Sequence, residues 1–337
     1  MIIKACFIFL VGSVLFIIFT YPYHKKFQNK MKEVLSYPEV SKIKSSKVIK
    51  KNIDNKEMTI EKKIIKSIYV NEEMGYTIAY PQNYSGKIKD GLIFLHGLGD
   101  ISSDWFDEGL VLENYIELLE KKEIRPMMLI FPESGYNGKS WYSNFYKNKA
   151  ARYEDYFINE LYKEIKGQWQ ITNFSIAGYS MGGYGALKLA LKNLDKFYVI
   201  GSFSGATNLV RMALDRSCLW FFKFLYMPKF LFKSKEAGDF LDIFSSWGWK
   251  MLKENPYTLM KKVPENFRKN RYFYLSVGED DHDNYKMLQQ WIDTVFHMKK
   301  LGYNFKGNLC LGEGHTWDYV AEDMKNFLIY MEEKLGE

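Results

Sequence analysis

Cysteine is scarce in this chain, with three residues in 337: Cys6, Cys218 and Cys310, widely spaced. None forms a Cys-x-x-Cys pair and none clusters with histidine, which excludes a disulfide framework or a structural zinc site as the source of stability. Histidine is nearly as rare, five residues in all: His24, His96, His282, His297 and His315. Any role that needs an imidazole therefore has few candidates. No internal repeat is evident. Positive charge is missing where an enzyme of nucleic acids would carry it. The formal charge is +7, but residues 25–66 hold thirteen Lys against five acids and Lys4 adds one more, which leaves −2 on residues 67–337. That balance argues against nucleic acid as a partner of the main domain. What is present is 47% hydrophobic and 17% aromatic residues, enough for one large domain with extras.

The first extra is N-terminal. Ala5 to Tyr23 is almost wholly apolar, long enough to cross a bilayer as a helix, with Tyr21 and Tyr23 where interfacial aromatics sit. No small-x-small cleavage site follows, so residues 1–24 read as an uncleaved membrane anchor. Lys25, Lys26, Lys30 and Lys32 come directly after it. The positive-inside rule would keep the following domain cytoplasmic, whereas many bacterial hydrolases with a short N-terminal anchor face outward. An extracytoplasmic domain is the expectation taken. Residues 25–65 read as a Lys-rich stalk, either a plain soluble linker or a contact to anionic lipid or wall polymer.

From about residue 66 the pattern is globular. Ser67–Val70 and Tyr76–Tyr80 read as early strands, and Gly91–Leu95, Met127–Phe131, Phe174–Ala177, Tyr198–Ser202 and Tyr272–Val277 as strands buried on both faces. Leu112–Lys121, Tyr153–Trp169, Met181–Lys192, Asn284–Lys300 and Tyr319–Lys334 carry apolar residues at helical spacing. The alternation predicts an α/β fold with a mostly parallel sheet covered on both faces. Residues 206–264 break the rhythm and are rich in aromatics. They read as a helical insertion over the strand ends: a cap, an extra layer without substrate contact, or a membrane-dipping surface.

Gly178-Tyr179-Ser180-Met181-Gly182 is the chemical centre of the sequence. It is a Gly-x-Ser-x-Gly pentapeptide between a short buried strand and a helix start. A serine on such a turn is held in a strained backbone with its hydroxyl projecting into a cleft. Serine needs a base to take its proton and a third group to orient the base. On a fold of this kind both follow the serine in the chain. His315, in the loop Gly312-Glu313-Gly314-His315-Thr316-Trp317 after the last strand, is the candidate base. The acid belongs to Gly278-Glu279-Asp280-Asp281-His282-Asp283, with Asp281 the first candidate and Asp280 the second; the other carboxylates would suit the first turn of the next helix. Donors for a developing oxyanion would be the Met181 amide and the Leu98 amide, with His96 fixing the Leu98 turn.

Several stretches in this order resemble the putative esterase family of α/β-hydrolases, which includes S-formylglutathione hydrolases, feruloyl and acetyl-xylan esterases, tributyrin esterases and antigen 85 mycolyltransferases. They are Pro81-Gln82-Asn83-Tyr84, Leu95-His96-Gly97-Leu98-Gly99, Ser140-Trp141-Tyr142, Tyr153-Glu154-Asp155-Tyr156, Gly178 to Gly183, Gly278-x-x-Asp281 and Gly314-His315-x-Trp317. The resemblance implies an α/β-hydrolase fold from about residue 66, Ser180 as the acylated nucleophile and His315 as base. It places the acid three residues after the glycine, at Asp281. It also puts Trp141 and Tyr142 near the cleft, with Tyr179 and Trp317 as further candidates for substrate contact. No metal or organic cofactor is implied. The implied activity is ester hydrolysis on a small molecule or a glycan. Transfer of the acyl group to an alcohol, as in the antigen 85 type, is the alternative, and a silent binding protein on the same fold is a third reading.

Overall fold

The computed structural model describes residues 25–44, 58–82, 88–214, 222–229, 235–282 and 285–336. The apolar run 5–23, His24, Cys6, Cys218 and Asp283 lie outside them. Among the described residues, no helix is long and apolar enough to cross a membrane.

Nine strands form one sheet. They are β1 (Val40–Lys44), β2 (Met58–Lys66), β3 (Glu73–Pro81), β4 (Asp90–Leu95), β5 (Met128–Pro132), β6 (Asn173–Tyr179), β7 (Phe197–Phe203), β8 (Tyr272–Gly278) and β9 (Asn304–Leu311). Their order across the sheet is β1-β9-β8-β7-β6-β4-β5-β3-β2. Only β2 against β3 and β3 against β5 run antiparallel. The strands β4 to β8 are buried almost throughout and mostly apolar, because helices cover both of their faces.

The helices in chain order are α1 (25–34), α2 (Asp104–Asp107), α3 (Val111–Glu120), α4 (Tyr153–Tyr156), α5 (Tyr162–Trp169), α6 (Met181–Lys192), α7 (Leu209–Leu214), α8 (Lys235–Phe244), α9 (Gly248–Met251), α10 (Pro256–Leu259), α11 (Glu265–Lys269), α12 (Met287–Leu301) and α13 (Trp317–Leu335). A π-helical turn, Phe157–Leu161, joins α4 to α5, so the helix expected over Tyr153–Trp169 is present with a bulge in it. On one face of the sheet, α6 and α12 bury Leu187, Leu189, Trp291, Ile292 and Val295. On the other, α3 and α13 bury Leu112, Tyr115, Met324, Phe327 and Leu328.

Two expectations fail at the N-terminal side. Residues 25–65 were expected as a stalk, yet the described parts are folded onto the domain. Val34 of α1 is fully buried in the core, and Phe27, Met31 and Leu35 pack against the same core. Lys30 Nζ lies 2.6 Å from Asp293 on α12. β1 runs parallel to β9, with Val40 opposite Gly307, and β2 closes the other edge of the sheet. These edge strands are only partly covered: Met58 and Ile65 of β2 are buried, while Ile60, Ile64 and most of the lysines face water. Ser67–Val70, expected as a strand, is instead the turn between β2 and β3. The Ser67 hydroxyl accepts the Tyr69 and Val70 amides at 3.1 and 3.3 Å, and Asn71 takes a positive φ of 54°. A serine that offers the backbone this local partner competes with the ladder.

The segment between β7 and β8 is helical where described: α7, α8, α9, α10 and α11. It starts from the carboxyl end of β7, the edge from which β6 delivers Ser180, and returns through α11 to the amino ends, where Lys269 O accepts from Asn304 at the start of β9.

Candidate active site

Ser180 sits between β6 and α6 with φ 55° and ψ −115°, outside the regions an L-residue prefers. Three backbone bonds hold it there. Its amide donates to Phe203 O at 2.9 Å, and its carbonyl accepts from Tyr184 and Ala206 at 3.1 and 3.3 Å. The turn is possible only without side chains around it. A Cβ on Gly182 would stand 1.9 Å from Leu95 O, and one on Gly178 would stand 2.2 Å from Gly182 C.

Two loops bring the other candidates to the hydroxyl. His315 Nε2 lies 3.0 Å from Ser180 Oγ. Its Nδ1 lies 2.7 Å from Asp281 Oδ2. These distances fit Nδ1–H donating to the carboxylate while Nε2 accepts the serine proton. Asp281 is buried and Asp280 is exposed, which separates the two neighbours that the sequence left close. His282 is exposed as well. The acid and base loops are stitched together through their backbones: the Asp280 amide donates to Glu313 O at 2.7 Å and the Glu279 amide to Cys310 O at 2.8 Å. Gly278 is the point of closest approach, since a Cβ there would lie 2.3 Å from Glu313 O.

Aromatic rings brace His315. Tyr179 stacks on His315 at 5.0 Å and 28°, and Trp317 leans on Tyr179 at 4.5 Å and edge-on against Trp105 at 4.8 Å. Tyr179 is itself buried; burial first, and the Asp281 charge second, push its phenol up, so it stays protonated. Tyr179 and Trp317 were expected to touch substrate, and their packing gives them the further role of holding His315 in place.

The Leu98 turn is also fixed. His96 is fully buried and burial holds it below its ordinary value, hence neutral. Its Nε2 accepts the Ser134 amide at 2.9 Å and its Nδ1 lies 2.9 Å from Gly97 O. The Gly97 amide donates to Asp100 at 3.2 Å, and the Gly99 amide to Gly138 O at 2.9 Å. The Leu98 amide takes no acceptor among the described residues. Met181 opens α6, so its amide has no intrahelical acceptor either.

Tyr142 departs from expectation. It is wholly buried, so it meets no substrate. Its hydroxyl donates to His96 O at 2.8 Å, and its ring lies against Gly185, where a Cβ would come within 2.5 Å. It supports the Leu98 loop from beneath. Below it lies Lys188 of α6, fully buried, whose role the sequence reading missed. Its ammonium donates to Tyr142 O and Ser143 Oγ, each at 2.7 Å, and pairs with Glu154 at 2.9 Å. Burial works against the Glu154 carboxylate, but Lys188 and Lys192 hold it below its usual range. The signal was available: Lys188 and Lys192 on an otherwise apolar helix, about two and three turns beyond the serine, matched by a glutamate in the Tyr-Glu-Asp-Tyr stretch.

Trp141 takes a different position. It is 7% exposed and packs edge-on against Tyr184, Phe240 and Phe244 at 5.3–5.6 Å. It forms one wall of a mostly apolar chamber of about 260 Å³ under α8, lined chiefly by Met212, Met227, Phe240, Leu241 and Met251, with the hydrogen-bonded Glu236 and Tyr285 as its polar part. Tyr184, against which Trp141 rests, is one helical turn from Ser180. Among the described residues, no group of three or more His, Cys, Asp or Glu side chains could hold a metal ion.

A family model described as a putative esterase matches residues 67–329. An esterase of Mycobacterium tuberculosis is 28% identical over 145 residues, which are 41% of this chain and 30% of that one. An S-formylglutathione hydrolase of Arabidopsis thaliana is 41% identical over 70 residues, 20% of this chain and 25% of that one. The chain thus spans less than a third of the length of these curated relatives. Among solved structures, an S-formylglutathione hydrolase from Agrobacterium tumefaciens superposes with a TM-score of 0.66 at 16% identity, covering 86% of this chain and 100% of that one.

Proposed function

The chain belongs to the putative esterase family and has the α/β-hydrolase fold, and from that premise we propose that it is a serine carboxylesterase in which Ser180, His315 and Asp281 act as the triad. The observation that carries this reading is the unbroken relay from the strained serine through His315 to the buried Asp281, at 3.0 and 2.7 Å.

Ser180 Oγ attacks the ester carbonyl carbon as His315 Nε2 takes its proton. The carbonyl oxygen becomes an oxyanion and is met by the Met181 and Leu98 amides, each worth about 3 kcal/mol of barrier in such sites. Asp281 keeps the imidazole in the tautomer that leaves Nε2 free and stabilises the imidazolium once formed. The imidazolium proton then passes to the alkoxide leaving group, and the alcohol departs. Water attacks the acyl-Ser180 ester, losing a proton to His315. The tetrahedral intermediate expels Ser180 Oγ, which recovers the proton, and the carboxylic acid leaves. Met-rich, apolar walls suit the chamber beside Trp141 to the acyl group, while the half-exposed side of His315 leaves the alcohol open to water and to a bulky sugar or glycan.

A fluorophosphonate probe tests the assignment. We expect stoichiometric labelling of the wild type, none of Ser180→Ala, and loss of p-nitrophenyl ester hydrolysis in both Ser180→Ala and His315→Ala with the fold retained. Labelling that survives Ser180→Ala would move the nucleophile elsewhere.

A further inference from the structure

Eleven large hydrophobic side chains are exposed among the described residues, and four of them, Phe224, Tyr226, Trp247 and Trp249, lie in two short segments of the insertion. The segments are joined as a small antiparallel ribbon. Tyr226 bridges to Trp247, the Met227 amide donates to Ser246 O at 2.8 Å and the Gly248 amide to Leu225 O at 2.9 Å. The ribbon is anchored from inside: Phe222 is fully buried, and a Cβ on Gly248 would strike its carbonyl at 1.9 Å. The outward rings are therefore fixed in place, with exposures of 43–67%. A water-facing ribbon gains nothing from four such rings.

Charge on these segments is of one sign. Residues 222–229 and 247–253 contain Lys223, Lys229, Lys250 and Lys253 and no acid. Lys229 is paired with Asp242 at 2.5 Å. The other three lie over ring faces: Lys223 over Phe224 at 4.7 Å, Lys253 over Trp249 at 5.1 Å, and Lys250 between Trp249 at 5.1 Å and Tyr146 at 4.0 Å, donating also to the Tyr146 hydroxyl. Tryptophan, tyrosine and phenylalanine interleaved with lysine are the composition that settles at the boundary between lipid headgroups and acyl chains, with the cations reaching anionic headgroups.

The start of the described chain meets this part of the fold. The Phe27 ring, two residues into α1, lies under the Arg211 guanidinium of α7 at 5.1 Å. On the same helix, Met212 lines the chamber with α8. The first described helix, α1, thus meets the domain beside α7, at the root of the insertion, and not at the far face carrying α3 and α13.

We propose that the ribbon face formed by residues 222–229 and 247–253 docks on an anionic lipid bilayer. Phe224, Tyr226, Trp247 and Trp249 enter the headgroup boundary, Lys223, Lys250 and Lys253 meet the anionic headgroups, and the N-terminal apolar segment holds the same face to the same membrane. Docked this way, the apolar chamber lies beside lipid, and an acyl chain can enter it without crossing water. The docking itself does not depend on the chemistry assigned to Ser180.

The test uses the full chain with Cys6 and Cys218 replaced by serine and one cysteine introduced by Phe224→Cys or Trp249→Cys, labelled with a polarity-sensitive fluorophore. Glu120→Cys, exposed on the opposite face of the sheet, is the control site. Vesicles are phosphatidylcholine alone or equal parts phosphatidylcholine and phosphatidylglycerol, with or without spin-labelled acyl chains. On the mixed vesicles we expect a blue shift and severalfold quenching at positions 224 and 249 and neither at 120. Phosphatidylcholine alone should give a weaker response, and Lys250→Glu/Lys253→Glu should lose at least half of it while melting as the parent does. A protein that sediments with the vesicles through its N-terminal segment, yet keeps water-like emission at 224 and 249, would overturn the proposal. So would an equal shift produced by a soluble polyanion without vesicles, which would assign the face to an anionic polymer.

Discussion

At the scale of single residues, what distinguishes Asp281 from Asp280 is burial. The two stand side by side, yet one closes the relay to His315 and the other faces water. A neutral amide at position 281 would hold the imidazole by its other tautomer, with Nε2 protonated and unable to accept from Ser180. Asp281→Asn should therefore lower kcat about 10⁴-fold, whereas Asp280→Asn should leave it within about twofold, as an exposed substitution away from the relay does. Steady-state turnover of a p-nitrophenyl ester by both variants decides this. The serine elbow was legible from Gly178-Tyr179-Ser180-Met181-Gly182 because its glycines are demanded by backbone contacts that any folded version must make. Asp281 was preferred over Asp280 from the family spacing and not from the residues themselves, since burial belongs to the fold and not to the residue. Tyr142 was misread for a related reason: an aromatic beside a cleft can face it or floor it, and the composition is the same.

At the scale of elements, the site depends on loops that touch. Gly278 ends β8 where the base loop crosses it, and a methyl group there would sit 2.3 Å from Glu313 O and 2.6 Å from Gly314 O. Gly278→Ala should push the His315 loop away from Ser180. A displacement of about 1 Å costs about 10²-fold in rate, so kcat should fall by that order while Asp281 and His315 remain intact. Restoration of fluorophosphonate labelling to the wild-type rate would refute this.

The packing of α12 on α10 makes a second prediction. His297 is buried, stacks on Tyr257 at 4.2 Å and 20°, and is lowered to about 4, chiefly by burial and then by Lys261. The native state refuses a proton that the unfolded chain takes up near pH 6.5. The stabilisation is therefore present in full above pH 6.5 and is lost as pH falls from there toward 4. Thermal melts of His297→Phe should flatten the decline in Tm over that interval relative to the wild type; an unchanged slope would remove His297 as its source.

At the scale of the whole molecule, the boundary of the domain is not where the hydrophobic pattern begins. Continuous apolar runs announced β4 through β8, because strands buried on both faces must be apolar. The outer elements α1, β1 and β2 are largely in water, and the few buried positions that seat them, Val34, Met58 and Ile65, are scattered among lysines. β1 covers the edge of β9 and β2 the edge of β3; removal of either would expose a row of unpaired backbone groups to other chains. Loss of α1 would also uncover the pocket of Val34 and strip Lys30 from Asp293, leaving that buried carboxylate with Arg211 at 2.7 Å. A chain cut to residues 25–337 keeps all of these contacts, and one cut to 67–337 keeps none while still spanning the family match. The longer form should melt as a single cooperative transition, elute as one species and turn over a soluble ester. The shorter form should lose several kcal/mol from the uncovered core positions, each large side chain contributing about 1.5–3, and should associate through its bared edges on size exclusion. Equal melting temperatures for the two forms would mean that the Lys-rich segment is a passenger after all.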